Sequence, residues 1–328
     1  MDISKLQKVT KIVVHANCPD GTASAIIIKD ALRLKPEQIV FVELSTFEHD
    51  NLPAEPGMLF CDCTPPHARV QEFVDVGALV LDHHKYSKDI VAAFGENGVF
   101  ADKATQPEVS GARLAYLEVW RPISESRPRW SPESPIAIFT DRFSHLAGIR
   151  DNWQQNSPQW EEACEDAALL FFFPETYWMN VLLPTLAMDW YKDYIPLGKI
   201  LVQKDKERAK AIADKRWTYR TSSGLVIAIV NSRFVSDAAD LLEDQCGVLV
   251  GFSYMKNDPG CYPGLKLSLR SFGDSFDCGK FSKYFGGSGH LNSAGCKLVT
   301  DETTLNPFKL ICDKVEEYLN CQETTTPS

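Results

Sequence analysis

The apolar positions of the first third come in short β-branched runs, each followed by a polar break or a stretch of helical period. KIVVHA (11–16), QIVFVEL (38–44), GMLFCD (57–62) and ALVLDHH (78–84) read as strands. GTASAIIIKDALRL and HARVQEFVDV read as helices between some of them, an alternation that predicts right-handed crossovers and a mainly parallel sheet. From about 108 to 190 the pattern turns helical, as in EVSGARLAYLEVW and WEEACEDAALLFF. LVQKDKERAKAIADKRW (201–217) keeps a helical period with its charges on a solvated face. Strands return at GLVIAIV (224–230), GVLVGFSYM (247–255), LKLSLRS (265–271) and CKLVT (296–300), with helices near 236–245, 277–285 and 307–320. The predicted class is α/β: a larger domain (1–195) with a mainly parallel sheet flanked by helices, a helical linker (196–217), and a smaller C-terminal α/β domain (218–322). The polar tail (323–328) has the composition of a disordered segment.

Composition narrows the function more than it alters this fold. At 328 residues, 44% hydrophobic and 24% charged, the chain has the make-up of a soluble globular protein of about two domains. Its longest apolar stretch, AALLFFFPETYWMNVLLPTLAM, is interrupted by Pro174, Glu175, Asn180 and Pro184 and falls short of a membrane span. The N-terminus lacks the layout of a signal peptide, which makes a cytoplasmic location the expectation. A formal net charge of −10 argues against a grip on long duplex nucleic acid, but leaves room for a short single-stranded oligonucleotide or nucleotide held by a metal and a few local cations. The ten cysteines are scattered with no CxxC pair, the pattern of reduced thiols. Cys61 and Cys63 flank Asp62, and in an extended segment both would pack on the face opposite it.

In open parallel α/β sheets, ligands bind beyond the carboxyl ends of the strands. Three predicted strands end in side chains able to hold a metal: His15 with Asp20 just beyond, Asp62, and the triplet Asp82, His83, His84. Asp151, in GIRDNWQ, follows the helical run and can close over the same edge. Carboxylate oxygen mixed with imidazole nitrogen suits a divalent first-row ion. Trp153 reads as core packing rather than a stacking platform for a base. In LKLSLRS the leucines alternate onto one face and leave Arg270 on the other. GGSG (286–289), followed by His290, is either an ordinary loop or a backbone nest for a phosphate.

HANCPDG, the aspartate of FCDC, LDHH, RDNW and the late RS…FGGSGHLNSAG occur in the order seen in the DHH phosphoesterase superfamily, members of which carry a DHH-associated C-terminal domain. From about Ile12 to Leu298 the chain resembles these proteins. The resemblance implies a catalytic α/β domain joined by a helical linker to a smaller one, an active site in the cleft between them, and hydrolysis of phosphodiester or phosphoanhydride bonds with two manganese ions. Residue by residue, it implies His15 and Asp20 as ligands of one ion, His83 and Asp151 as ligands of the other, and Asp62 as the bridge. His84 would touch the phosphate or solvent, and Asp82 would support the histidines. Arg270, Ser271, Gly287, Ser288, Gly289, His290 and Asn292 match the substrate-binding segment. A homodimer is compatible with the resemblance. One position departs from it: where the commoner first motif has a further aspartate two residues after the one matched by Asp20, this chain has Thr22, placed to cap a helix, and weaker binding of the second ion follows. The implied activity is a manganese-dependent phosphodiesterase releasing nucleoside monophosphates from short oligonucleotides or linear dinucleotides. The alternatives are a phosphatase on a small nucleotide such as a 3′,5′-bisphosphate, and a nucleotide-binding or sensing protein with an impaired metal site.

Overall fold

In the computed structural model, which describes residues 1–44, 47–128, 130–232, 235–255, 264–273, 275–289, 291–299 and 306–325, the apolar runs of the first third pair in parallel register. The protein is α/β in both of its compact units, Met1–Val202 and Gln203–Ser328. The helix Ile195–Asp214 runs across that division.

The first unit is built on five strands, β1 (Lys11–His15), β2 (Ile39–Val42), β3 (Met58–Cys61), β4 (Leu79–Asp82) and β5 (Gly98–Phe100), in the order β2-β1-β3-β4-β5. Alternation along each strand feeds two apolar layers. Ile12, Val14, Leu59, Cys61, Leu79 and Leu81 join one core cluster, while Val13, Phe60, Val80 and Phe73 join another. The helix Pro19–Leu32 is buried almost all round, which is why its sequence ASAIII carries no polar stripe. The strand order turns back between β1 and β3, the switch point at which an open α/β sheet leaves a crevice beyond its strand ends. Gly21 lets the helix approach that crevice: a Cβ there would sit 2.1 Å from the His15 carbonyl oxygen.

The second unit carries a mixed sheet, β6 (Trp217–Arg220), β7 (Val226–Val230), β8 (Val248–Tyr254), β9 (Gly264–Ser271), β10 (Ser288–Gly289) and β11 (Ser293–Val299), ordered β10-β11-β9-β8-β7-β6. Only β7 and β8 pair in parallel among these described strands. Leu265, Leu267 and Leu269 lie on one buried face with Phe252 and Phe281, and Leu249 and Val230 lie on the other against Ala209, Ala213 and Ala238. No helix among the described residues is long and apolar enough to cross a membrane.

Several local expectations are corrected. Thr22 does not cap the helix: Pro19 takes the first helical position, Cys18 becomes the N-cap, and Thr22 lies inside, 2% exposed, its amide donating to the Cys18 carbonyl. Cys61 and Cys63 do not share a face. The chain turns left-handed at Asp62 (φ 62°), so Cys61 packs in one layer and Cys63 in the other. Trp217 begins a strand rather than ending a helix. The first three residues of the expected disordered tail continue the helix Pro307–Thr325, and its end, 326–328, lies outside the described residues. Because Gly21 bears directly on strand backbone, Gly21→Ala is expected to lose about 1–3 kcal/mol despite alanine's better helix propensity. Denaturant unfolding followed by circular dichroism measures it, and an unchanged midpoint would contradict the close approach.

Candidate metal centre

The carboxyl ends of β1, β3 and β4, neighbours in the sheet, deliver His15, Asp62 and the Asp82-His83-His84 triplet to one edge. Asp20 arrives from the first turn of the helix Pro19–Leu32, and Asp151 is the last residue of the helix Pro135–Asp151. Asp62 lies between two histidines: its Oδ1 is 3.1 Å from His83 Nε2 and its Oδ2 is 3.8 Å from His15 Nδ1. His83 Nε2 is also 3.6 Å from Asp20 Oδ2, and its Nδ1 is 3.8 Å from Asp151 Oδ2. Among the described residues, ligand atoms fall into three overlapping groups, each within 4.8 Å: His15, Cys18 and Asp62; Asp62, Asp82, His83 and His84; Asp20, His83 and Asp151. Asp20 therefore sits with His83 and Asp151, not with His15 as the sequence pairing has it.

Each carboxylate is held differently. Both oxygens of Asp20 accept backbone amides at a helix start, Gly111 N to Oδ2 at 2.6 Å and Ala112 N to Oδ1 at 2.9 Å. Gly111 is needed there, because a Cβ would lie 2.4 Å from the Asp62 Cβ. Burial, reinforced by the charges of Asp62 and Asp151, nevertheless pushes Asp20 well above the usual carboxylate range. Asp82 Oδ1 accepts from the amides of His83 (2.7 Å) and His84 (3.1 Å) and from His84 Nδ1 (2.7 Å). Burial works against charge at both groups of that pair, but their mutual attraction outweighs it, holding Asp82 below its ordinary range and raising His84 to about 10. At Asp151 burial is likewise outweighed, by His83, Lys103 and His84, and the carboxyl falls to about 2.

The donor set fits a divalent cation. His15 Nδ1, His83 Nδ1 and Asp62 Oδ2 are buried without a hydrogen-bond partner, which is costly for polar atoms unless something else satisfies them. Burial lowers the His15 pKa, leaving a neutral imidazole with a lone pair to offer. Beside this centre a pocket of about 350 Å³ is lined by Lys103, Asp151, Trp153 and Gln154 among others. The ring of Trp153 packs on the Arg150 guanidinium at 4.0 Å and edge-on to Trp160, but it is half-buried at the pocket wall and not part of the core expected from sequence.

In the second unit, Arg270, Ser271 and Asn292 come together. Ser271 N donates to Asn292 O, and the Ser271 hydroxyl donates to Leu291 O at 3.2 Å. Arg270 donates to Ser236 Oγ and to Leu269 O, both at 2.8 Å. The expected backbone nest is not formed. Gly286 and Gly287 donate their amides to Lys283 O and Ser282 O, closing the helix Cys278–Tyr284, and Ser288–Gly289 forms an edge strand on β11. His290 lies outside the described residues.

No family model matches the chain, and no curated protein matches its sequence. Solved structures do. The DHH domain of a member of a family of ribosomal proteins superposes with a TM-score of 0.57 at 12% identity, covering 96% of this chain and 88% of the other. RecJ from Thermus thermophilus, solved with Mn2+, gives 0.54 at 17%, covering 97% of this chain and 53% of RecJ. A pGpG-specific phosphodiesterase from Vibrio cholerae gives 0.48 at 14%, covering 95% and 98%. This chain has the DHH fold.

Within the DHH fold four residues at this edge escaped the sequence reading. Lys103, whose Nζ donates to Asp151 Oδ2 at 3.0 Å, follows β5, and reading GVF as a strand would have placed it at the edge. Gly111 and Ala112 act through amides, for which the only signal is a serine and glycine opening a helix. Cys18 sits inside the quoted HANCPDG. Lys103 competes with any cation at Asp151, so Lys103→Met is expected to tighten Mn2+ binding roughly fivefold, about 1 kcal/mol for a partly solvated charge. Calorimetric titration measures this; equal or weaker binding would contradict the competition.

Proposed function

We propose that this chain is a metal-dependent phosphodiesterase that hydrolyses short oligonucleotides or linear dinucleotides to nucleoside monophosphates, using two divalent ions, manganese first among them, at the strand ends of the first unit. The observation that carries this reading is the position of Asp62, one buried carboxylate facing His15 with one oxygen and His83 with the other. Divalent ions at such a site supply positive charge to the attacking and leaving oxygens of an in-line displacement and lower the pKa of water. RecJ, whose structure contains Mn2+, shares the fold and supports the choice of ion.

The chain's own residues have distinct tasks in this reading. His15 presents a neutral imidazole, while His83, Asp20 and Asp151 surround the other side of Asp62. Asp82 fixes the His84 ring through a 2.7 Å hydrogen bond and keeps it cationic, which suits a contact with a phosphate oxygen. In the second unit Arg270, beside Ser271 and Asn292, takes a substrate phosphate. The net charge of −10 fits a short strand gripped locally rather than a long one held by a basic track.

Asp62→Asn keeps a residue type that tolerates the left-handed backbone at this position, so the fold should persist while hydrolysis of dinucleotides with Mn2+ is abolished. Near-normal turnover in the folded variant would contradict the reading. Arg270→Ala is expected to raise KM for dinucleotides about ten- to a hundredfold, the loss of one charge-assisted contact, with Mn2+ affinity unchanged. Loss of Mn2+ binding in that variant would remove Arg270 from its substrate role.

A further inference from the structure

Cys18 is the one thiol among the described residues whose sulfur joins a potential ligand group, lying within 4.8 Å of the ligand atoms of His15 and Asp62. Its position is set by the backbone on both sides. Asn17 turns left-handed (φ 54°) with its amide held by Glu175 Oε1 at 2.7 Å, and Cys18 is the extended N-cap of the helix Pro19–Leu32. Cys61 and Cys63, nearer to Asp62 in sequence, behave differently. Each gives its Sγ to a carbonyl oxygen, of Gly111 and Val13 respectively, and neither joins such a group.

A second observation points to a ligand at the same place. Asp62 is 1% exposed and its Oδ2, the oxygen that faces His15 Nδ1, has no hydrogen-bond partner; nor does Nδ1 itself. Two of the three atoms in the group are thus buried polar atoms left unsatisfied by the protein. The third is the Cys18 sulfur, which a cation held among the three would take as a thiolate. One nitrogen, one sulfur and one oxygen make a softer set than the carboxylates and imidazole around His83.

We propose that Cys18 is a metal ligand, completing with His15 and Asp62 a site for a thiophilic divalent cation such as zinc or cobalt, so that the two halves of the centre differ in metal preference. The proposal rests on the reading of Asp62 as a shared ligand. Binding converts the Cys18 thiol to a metal thiolate and releases its proton to solvent.

The test uses the full chain stripped of metal with a chelator and titrated with Co2+. The expected result is a near-ultraviolet thiolate-to-cobalt charge-transfer band that is lost in Cys18→Ser and retained in Cys164→Ser, with zinc affinity falling at least about tenfold in Cys18→Ser. Independently of any substitution, saturating Zn2+ should slow alkylation of Cys18, followed by peptide mass spectrometry. Cobalt bound in an Asp62-dependent manner with no charge-transfer band, a band that survives in Cys18→Ser, or an alkylation rate unaffected by bound zinc would each overturn the role of Cys18 while leaving the metal centre standing. Failure to bind Co2+, Zn2+ or Mn2+ at all would overturn both.

Discussion

Three carboxylates, Asp20, Asp62 and Asp82, are buried to 2% exposure or less at one edge of a sheet, and much of the first unit is arranged around that cost. A desolvated carboxylate needs charge or donors close by. Asp20 has the amides of a helix start and Asp82 has a histidine and two amides. Asp62 has the facing His83 nitrogen for one oxygen and, for the other, no hydrogen bond, only the His15 ring at 3.8 Å. The structure leaves its deficit where a cation would meet it, which is the physical basis for reading the edge as a metal centre.

Bringing these groups together strains the backbone locally. Of the described non-glycine residues with positive φ, Asn17, Asp62 and Trp153 all lie in turns at this edge, and the fourth, Arg33, ends a helix. Asparagine and aspartate take that conformation cheaply, whereas tryptophan does so at a cost of order 1 kcal/mol. The packing of Trp153 on Arg150 and Trp160 holds it there, immediately after the helix that carries Asp151. Two glycines complete the arrangement by letting helix starts approach strand ends more closely than any side chain allows.

How much of this was legible follows from which features have a local signature. The strands β1, β3 and β4 are continuous apolar runs buried on both faces, and the strand-end rule then gathers His15, Asp62 and the triplet without further information. The short β5 offers only GVF, and with it Lys103 was lost. The strand β6, WTYR, is largely exposed and shows no buried alternation, so its first residue was absorbed into the charged helix before it. The faces of Cys61 and Cys63 depended on a left-handed turn at Asp62 that no periodicity announces. The glycine-rich segment differs for another reason: amides of its kind can cradle a phosphate, but those of Gly286 and Gly287 close the helix that ends two residues earlier.

Anomalous diffraction from crystals of the intact chain equilibrated with Mn2+ tests the central assignment most directly. Two peaks about 3.5–4 Å apart, each in contact with an Asp62 oxygen, one on the His15 side and the other among His83, Asp20 and Asp151, are the predicted result. Ions that leave Asp62 uncoordinated, or a single ion outside the strand-end cluster, would contradict it.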